Sequence, residues 1–200
     1  MKRTTLVRGI LLAPLLCIAG HAGAAGFDLD ALMRLLAQTR SGEATFTEER
    51  HVQQVEQPLR SSGRLSFSAP DTFVRETLAP RRERLAVVGN ELTMTQGSRT
   101  RTAQLDALPE AAVVVEAIRG TLTGNRALLE RDFAPRLQGG PERWQLELVP
   151  REVRLRGIVA QVQVEGRQDQ VREVRITMAD GDRSVMQIQP LPAAPAGTSR

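Results

Sequence analysis

Reactive side chains are scarce in this chain. The one cysteine, Cys17, falls in an N-terminal stretch that reads as a removable leader, and His51 is the only histidine beyond that stretch. Tyrosine is absent, and one tryptophan, Trp144, joins five phenylalanines. Without cysteine, the mature chain has no disulfides to rely on, so apolar burial must hold it together. A Ser-His-Asp triad would have to use His51, and no serine sits in a nucleophile-elbow sequence. His51 therefore reads as an ordinary strand residue. Metal centres need clustered His, Cys or carboxylates. Asp180-Gly181-Asp182 is too short for a calcium loop and reads as a tight turn. Glu48 and Glu49 are strand neighbours and must point to opposite faces. An acidic pair between more distant residues, such as Glu76 with Glu83, stays open at this stage. No cofactor and no enzyme activity are expected.

The first residues point to export. Lys2, Arg3 and Arg8 precede a short apolar run at 10–19, and Ala22-Gly23-Ala24 supplies small residues where a signal peptidase reads. The run is too short to span a bilayer, and no second one of spanning length follows. The expectation is a leader over residues 1–24, cut after Ala24 with Ala25 as the close alternative, and a soluble periplasmic protein. The chain holds 27 basic and 23 acidic residues. Three of the bases lie in the leader, leaving 24 against 23 and a mature net charge of +1. Lys2 is the only lysine, so all mature bases are arginine, spread along the chain without aromatic partners. That pattern does not fit nucleic acid. Arg75, Arg81, Arg82 and Arg84 cluster in sequence and read as solvated surface, with an anionic headgroup or membrane surface as the alternative.

What is present is a long series of short strands. Asp28 reads as an N-cap, and Leu29, Leu32, Met33, Leu35 and Leu36 follow at helical spacing, predicting a helix over 27–39. Strands are predicted at 43–57, 63–68, 72–78, 83–88, 91–96 and 99–105, with Gly89-Asn90 as a two-residue hairpin turn. Pro109 opens a helix whose two faces are both apolar, one with Leu108, Ala111, Ala112, Val115, Ile118 and Leu122, the other with Val113, Val114 and Ala117. Such a helix must be covered on both sides, in a core or as a lid over an apolar cavity. A second short helix is expected at 120–130. Further strands are predicted at 143–149, 157–165, 171–178 and 183–189. Short strands with tight turns make an antiparallel meander, mainly β, of roughly nine to eleven strands. One domain over 25–189 and a disordered Pro/Ala/Gly/Ser tail over 190–200 follow.

Phe46-Thr47-Glu48-Glu49, Gly63-Arg64-Leu65, Ala69-Pro70-Asp71-Thr72-Phe73, the Val88-Gly89-Asn90-Glu91-Leu92 turn and Leu148-Val149-Pro150-Arg151 resemble the outer-membrane lipoprotein carrier family, LolA. The resemblance implies an unclosed half-barrel whose apolar cavity is covered by a helical lid and ferries acyl chains of a lipoprotein, or another lipidic cargo, across the periplasm. It also implies an inner-membrane donor and an outer-membrane acceptor, and a monomeric protein. Phe46, Leu65, Phe67, Phe73, Leu85, Val87, Leu92, Met94, Leu146, Leu148, Ile176 and Met178 are expected to line the cavity, with Val114 and Ile118 on the lid. Two departures stand out. The family's lid-locking arginine, just before the turn proline, is replaced by Ala69, so closure is expected to rest on apolar contacts from Val113, Val114, Val115 and Ile118. Aromatic residues are also few, so aliphatic side chains would line the cavity. A second reading is a periplasmic regulator of the RseB type, which senses mislocalised lipoproteins with a similar half-barrel.

Overall fold

The structure is a computed structural model, and it describes residues 26–192. The predicted leader and the tail beyond 192 lie outside the described residues. Asp28 caps the first helix, α1 (Leu29–Leu36), by accepting from the Ala31 amide at 2.8 Å. Six strands follow: β1 (Ser41–His51), β2 (Leu59–Ser68), β3 (Thr72–Ala79), β4 (Glu83–Val88), β5 (Glu91–Gln96) and β6 (Arg99–Gln104). A 3-10 turn at Leu105–Ala107 leads into α2 (Pro109–Leu122) and α3 (Arg126–Asp132). The chain then returns as β7 (Phe133–Gly140), β8 (Arg143–Pro150), a single helical turn α4 (Val153–Arg156), β9 (Val159–Arg167), β10 (Gln170–Met178) and β11 (Arg183–Pro190).

All eleven strands form one antiparallel sheet in the order β6-β5-β4-β3-β2-β1-β11-β10-β9-β8-β7. The sheet does not close: β6 and β7 are its edges, and the chain between them is the helical segment. The first and last strands meet in the middle, with Phe46 opposite Ile188 and Ala44 opposite Pro190. The ladder thus continues past residue 189. Pro190 belongs to β11 and the Leu191 amide bonds to the Glu43 carbonyl at 2.8 Å, so residues 190 and 191 are part of the sheet rather than of the expected tail.

Two apolar clusters lie on the face that the helices cover. The larger joins α1, α2 and α3 to β7–β10 through Leu32, Leu36, Val113, Ala117, Leu129, Phe133, Trp144, Leu146, Leu148, Val162 and Val164. The smaller holds three buried residues, Val87, Leu92 and Leu105, with Phe73, Leu85, Ala111, Ala112 and Val115 around them. Helix α2 is wedged between the two, which explains why it is apolar on both sides. Trp144 anchors the larger cluster. Its Nε1 donates to the Gln168 carbonyl at 2.9 Å, and its ring lies over Gly166, where a Cβ would fall 2.2 Å from the indole. Only glycine fits there.

Strand β7 and helix α4 are not among the predicted elements. Strand β7 contains Pro135, which an edge strand tolerates because its outer side has no ladder to lose. The second short helix begins later than predicted because Asn125 caps it, accepting from Leu128, and α2 runs on through Gly120.

Candidate functional site

Register shows how the helix-side face is built. Paired residues in an antiparallel ladder point the same way. Across β2 to β6, one row therefore reads Phe67, Phe73, Val87, Leu92, Ala103, and the next reads Leu65, Arg75, Leu85, Met94, Arg101. A third row, farther from the turn that holds Ala69, reads Gly63, Thr77, Glu83. The face passes from apolar to mixed to polar within three rows. Phe67 and Phe73 stack with ring centroids 5.2 Å apart. In the first row Val87 and Leu92 are buried with Leu105 against α2, while Phe67 and Phe73 are half-buried. The second is only half covered: Leu65 and Leu85 are half-buried and Met94 is 39% exposed.

The strand residues expected to line a cavity all fall on this same face, but in different surroundings. Leu146 and Leu148 are wholly buried in the larger cluster and form closed core rather than an open wall. Ile176 and Met178 pack against that cluster too. Phe46 is buried at the junction of the sheet's two halves. Val87 and Leu92 are buried beneath α2. Leu65, Phe67, Phe73, Leu85 and Met94 remain partly open, and together they make an apolar strip on the β2–β5 wing. On α2, Val114 and Ile118 turn toward the larger cluster, so they do not face the strip. Ala111, Ala112 and Val115 do. Two hollows of about 230 and 420 Å³ are present, and neither is lined by the strand residues of the strip.

A polar knot sits on the same face beside the strip. Arg75 Nη2 donates to Glu48 Oε2 at 2.5 Å and to Ser61 Oγ at 3.1 Å. Ser61 and Ser184 donate to the two Glu48 oxygens at 3.0 and 2.5 Å. The Arg75 guanidinium also stands 4.8 Å over the Phe46 ring. Burial works against the Glu48 charge, but the hydrogen bond from Ser184, the Arg75 charge and the bonds from Arg75 and Ser61 outweigh it, so its pKa is lowered. Arg75 is thereby separated from Arg81, Arg82 and Arg84, which are exposed. The grouping by sequence was misleading. Strand parity puts Arg75 with Phe73, and that was the available signal. Glu76 faces Arg84 on the opposite side of the sheet from Glu83, so the acidic pair left open by sequence does not form.

The helix is not held by apolar contacts alone. Arg119, near the end of α2, pairs with Glu116 and donates through Nη2 to the Gly89 carbonyl in the β4–β5 turn at 2.5 Å. The expectation from Ala69 is corrected here: a polar tie exists, with its cation on the helix rather than on the sheet. The hollow of about 420 Å³ lies beside this tie, lined by Pro70, Asp71, Arg119, Thr123, Asn125 and Leu128, where the β2–β3 turn faces α2 and α3. Among the described residues no three His, Cys, Asp or Glu side chains group as metal ligands, and no helix is long and apolar enough to cross a membrane.

Residues 21–196 match the model of a family described as outer membrane lipoprotein carrier protein LolA-like. No curated protein matches the chain. Among solved structures, a LolA superfamily protein from Nitrosomonas europaea is 11% identical, covers 84% of this chain and 93% of its own, and has a TM-score of 0.43. MucB is 14% identical over 86% of this chain and 61% of its own, with a TM-score of 0.49. LprF from Mycobacterium bovis is 8% identical over 86% of this chain and 96% of its own, with a TM-score of 0.37.

Proposed function

The chain belongs to the LolA-like outer membrane lipoprotein carrier family, and from that premise we propose that it is a periplasmic carrier that buries acyl chains of a lipoprotein or another lipidic cargo. The observation that carries this reading is the uneven covering of the helix-side face. The β7–β10 wing is sealed by α1, α2 and α3, whereas the apolar strip Leu65, Phe67, Phe73, Leu85, Met94 stays partly open. Apolar side chains left side by side at an edge of a helix-covered face are the surface an acyl chain fits. Each CH₂ moved from water onto such a surface contributes about 0.8 kcal/mol, so a long chain supplies affinity without directional chemistry. Cargo would enter by widening the seam between α2 and the β3–β5 wing. That seam holds three buried apolar residues and one polar tie, whereas the other side of α2 packs into the larger cluster. An inner-membrane donor and an outer-membrane acceptor belong to this reading.

The test is direct. Mature protein purified from a diderm host is extracted with organic solvent, and the extract is read by mass spectrometry. In parallel, a hydrophobic dye is bound and displaced by fatty acid or lipopeptide. Leu85→Asp, in the open strip, is expected to abolish displacement while the fold is retained. A folded wild type that ignores all such ligands would sink the carrier reading.

A further inference from the structure

The polar knot beside the strip has no role in burying an acyl chain, and its composition is selective. Glu48 is well partnered: Oε2 accepts from Ser61 and Arg75, Oε1 accepts from Ser184, and its side chain is 13% exposed. Arg75 is not. Nη2 carries both of its hydrogen bonds, Nε is buried with no partner among the described residues, and the side chain is 32% exposed. A buried donor ordinarily finds an acceptor. What the knot has left to offer is the exposed part of a cation, which suits an anion. The guanidinium is also held in place by its bond to Glu48 and by the Phe46 ring beneath it, unlike a free surface arginine. A planar guanidinium fixed in this way matches phosphate or carboxylate oxygens.

Its position matters as much as its chemistry. Arg75 stands in the same cross-strand row as Leu65, Leu85 and Met94, with the aromatic row on one side and Gly63, Thr77 and Glu83 on the other. We infer that this face takes an amphiphile with an anionic head, its chain lying along Phe67, Phe73 and Leu85 toward α2 and its head at Arg75. This rests on the acyl-binding reading above and adds the head chemistry and the direction in which cargo lies. Arg101, in the same row on β6, is three strand spacings away, about 14 Å, and cannot reach the same head.

The experiment compares dodecyl phosphate with dodecyl maltoside, below micelle formation, by calorimetry on the mature protein at fixed low salt, with inorganic phosphate as a third probe. Wild type is expected to prefer the phosphate amphiphile by at least about tenfold, the scale of one charge-assisted contact. Arg75→Gln should remove that preference and leave maltoside affinity in place, Arg75→Lys should keep part of it, and Arg101→Gln should keep all of it. Glu48→Gln, which frees the arginine charge, should increase the preference, a result that a merely structural role for the knot does not give. An unchanged preference in Arg75→Gln overturns the head site and leaves acyl binding standing. If Arg75→Gln does not fold, the Glu48→Gln result decides, and no gain there overturns the site. Inorganic phosphate binding as tightly as dodecyl phosphate also overturns it, in favour of a free-anion site. Binding of neither amphiphile by folded wild type removes both this inference and the carrier reading.

Discussion

Replacing Arg119 by methionine asks which side of α2 moves when cargo passes. Methionine keeps the apolar stem and removes the bond to the Gly89 carbonyl. A hydrogen bond from a charged donor contributes about 1.5–3 kcal/mol. Arg119 is 17% exposed, so little screening applies, but its Nε is buried without a partner, and losing that unsatisfied donor returns part of the cost. Glu116 would be left without its partner, so the variant is best made as Arg119→Met with Glu116→Gln. The expected net weakening is near the lower end, about 1.5 kcal/mol, or roughly a tenfold faster off-rate for a bound fluorescent fatty acid. Stopped-flow release gives that number. Hydrogen exchange places it: amides of the β4–β5 turn and of Leu105, which bonds the Asn90 carbonyl, should exchange faster, while Val113 and Ala117 stay protected in the larger cluster. Unchanged release together with an unchanged β4–β5 turn would refute the assignment of the opening seam. Faster exchange at Val113 and Ala117 would instead put the moving joint between α2 and the β7–β10 wing.

Three further outcomes are expected. Ala69→Arg places a cation in the turn beside the hollow lined by Asp71 and Thr123, and should slow release several-fold in the same stopped-flow assay. Gly166→Ala drives a methyl to 2.2 Å from the Trp144 ring and 2.4 Å from the Gln170 carbonyl, so urea denaturation should show a loss of about 3 kcal/mol or more, if the variant folds. Glu48 has a lowered pKa in the folded state, so its contribution is fully present above the ordinary carboxylate value of about 4.3 and is lost as pH falls below it through the folded pKa. Glu48→Gln should therefore flatten the acid limb of a stability-versus-pH curve while leaving its slope above pH 6 alone.

Much of the sheet is readable from the residues because alternation and turn chemistry agree. Glu83–Val88, Gly89-Asn90 and Glu91–Gln96 fall where period two and a two-residue turn place them. The shared face of Leu65, Phe67, Phe73 and Leu85 follows from the same parity. Parity does not say how deep a face lies. Leu146 and Leu85 alternate alike, yet one is sealed by three helices and the other is half open, and that difference is set by where α2 docks. The Arg119 tie was hidden for a related reason. It joins a helix to a turn thirty residues earlier, and no local pattern marks such a meeting. Pro135 shows the converse: a residue that ends most strands is tolerated where the sheet has no further neighbour.

The junction of β1 with β11 also governs how the molecule can form. Every other strand pairing in the sheet links neighbours in sequence. A newly released chain can therefore zip β1–β6 and β7–β11 into two separate ribbons with short loops to close. The single ladder between residues 44–51 and 183–190 then joins them. Until it does, β1 and β11 are bare edges with unpaired amides, one on each ribbon, and either can pair with another chain. That step brings together residues about 140 apart, so it should be the slow one in refolding, and it is where a crowd of unfolded copies would exchange halves.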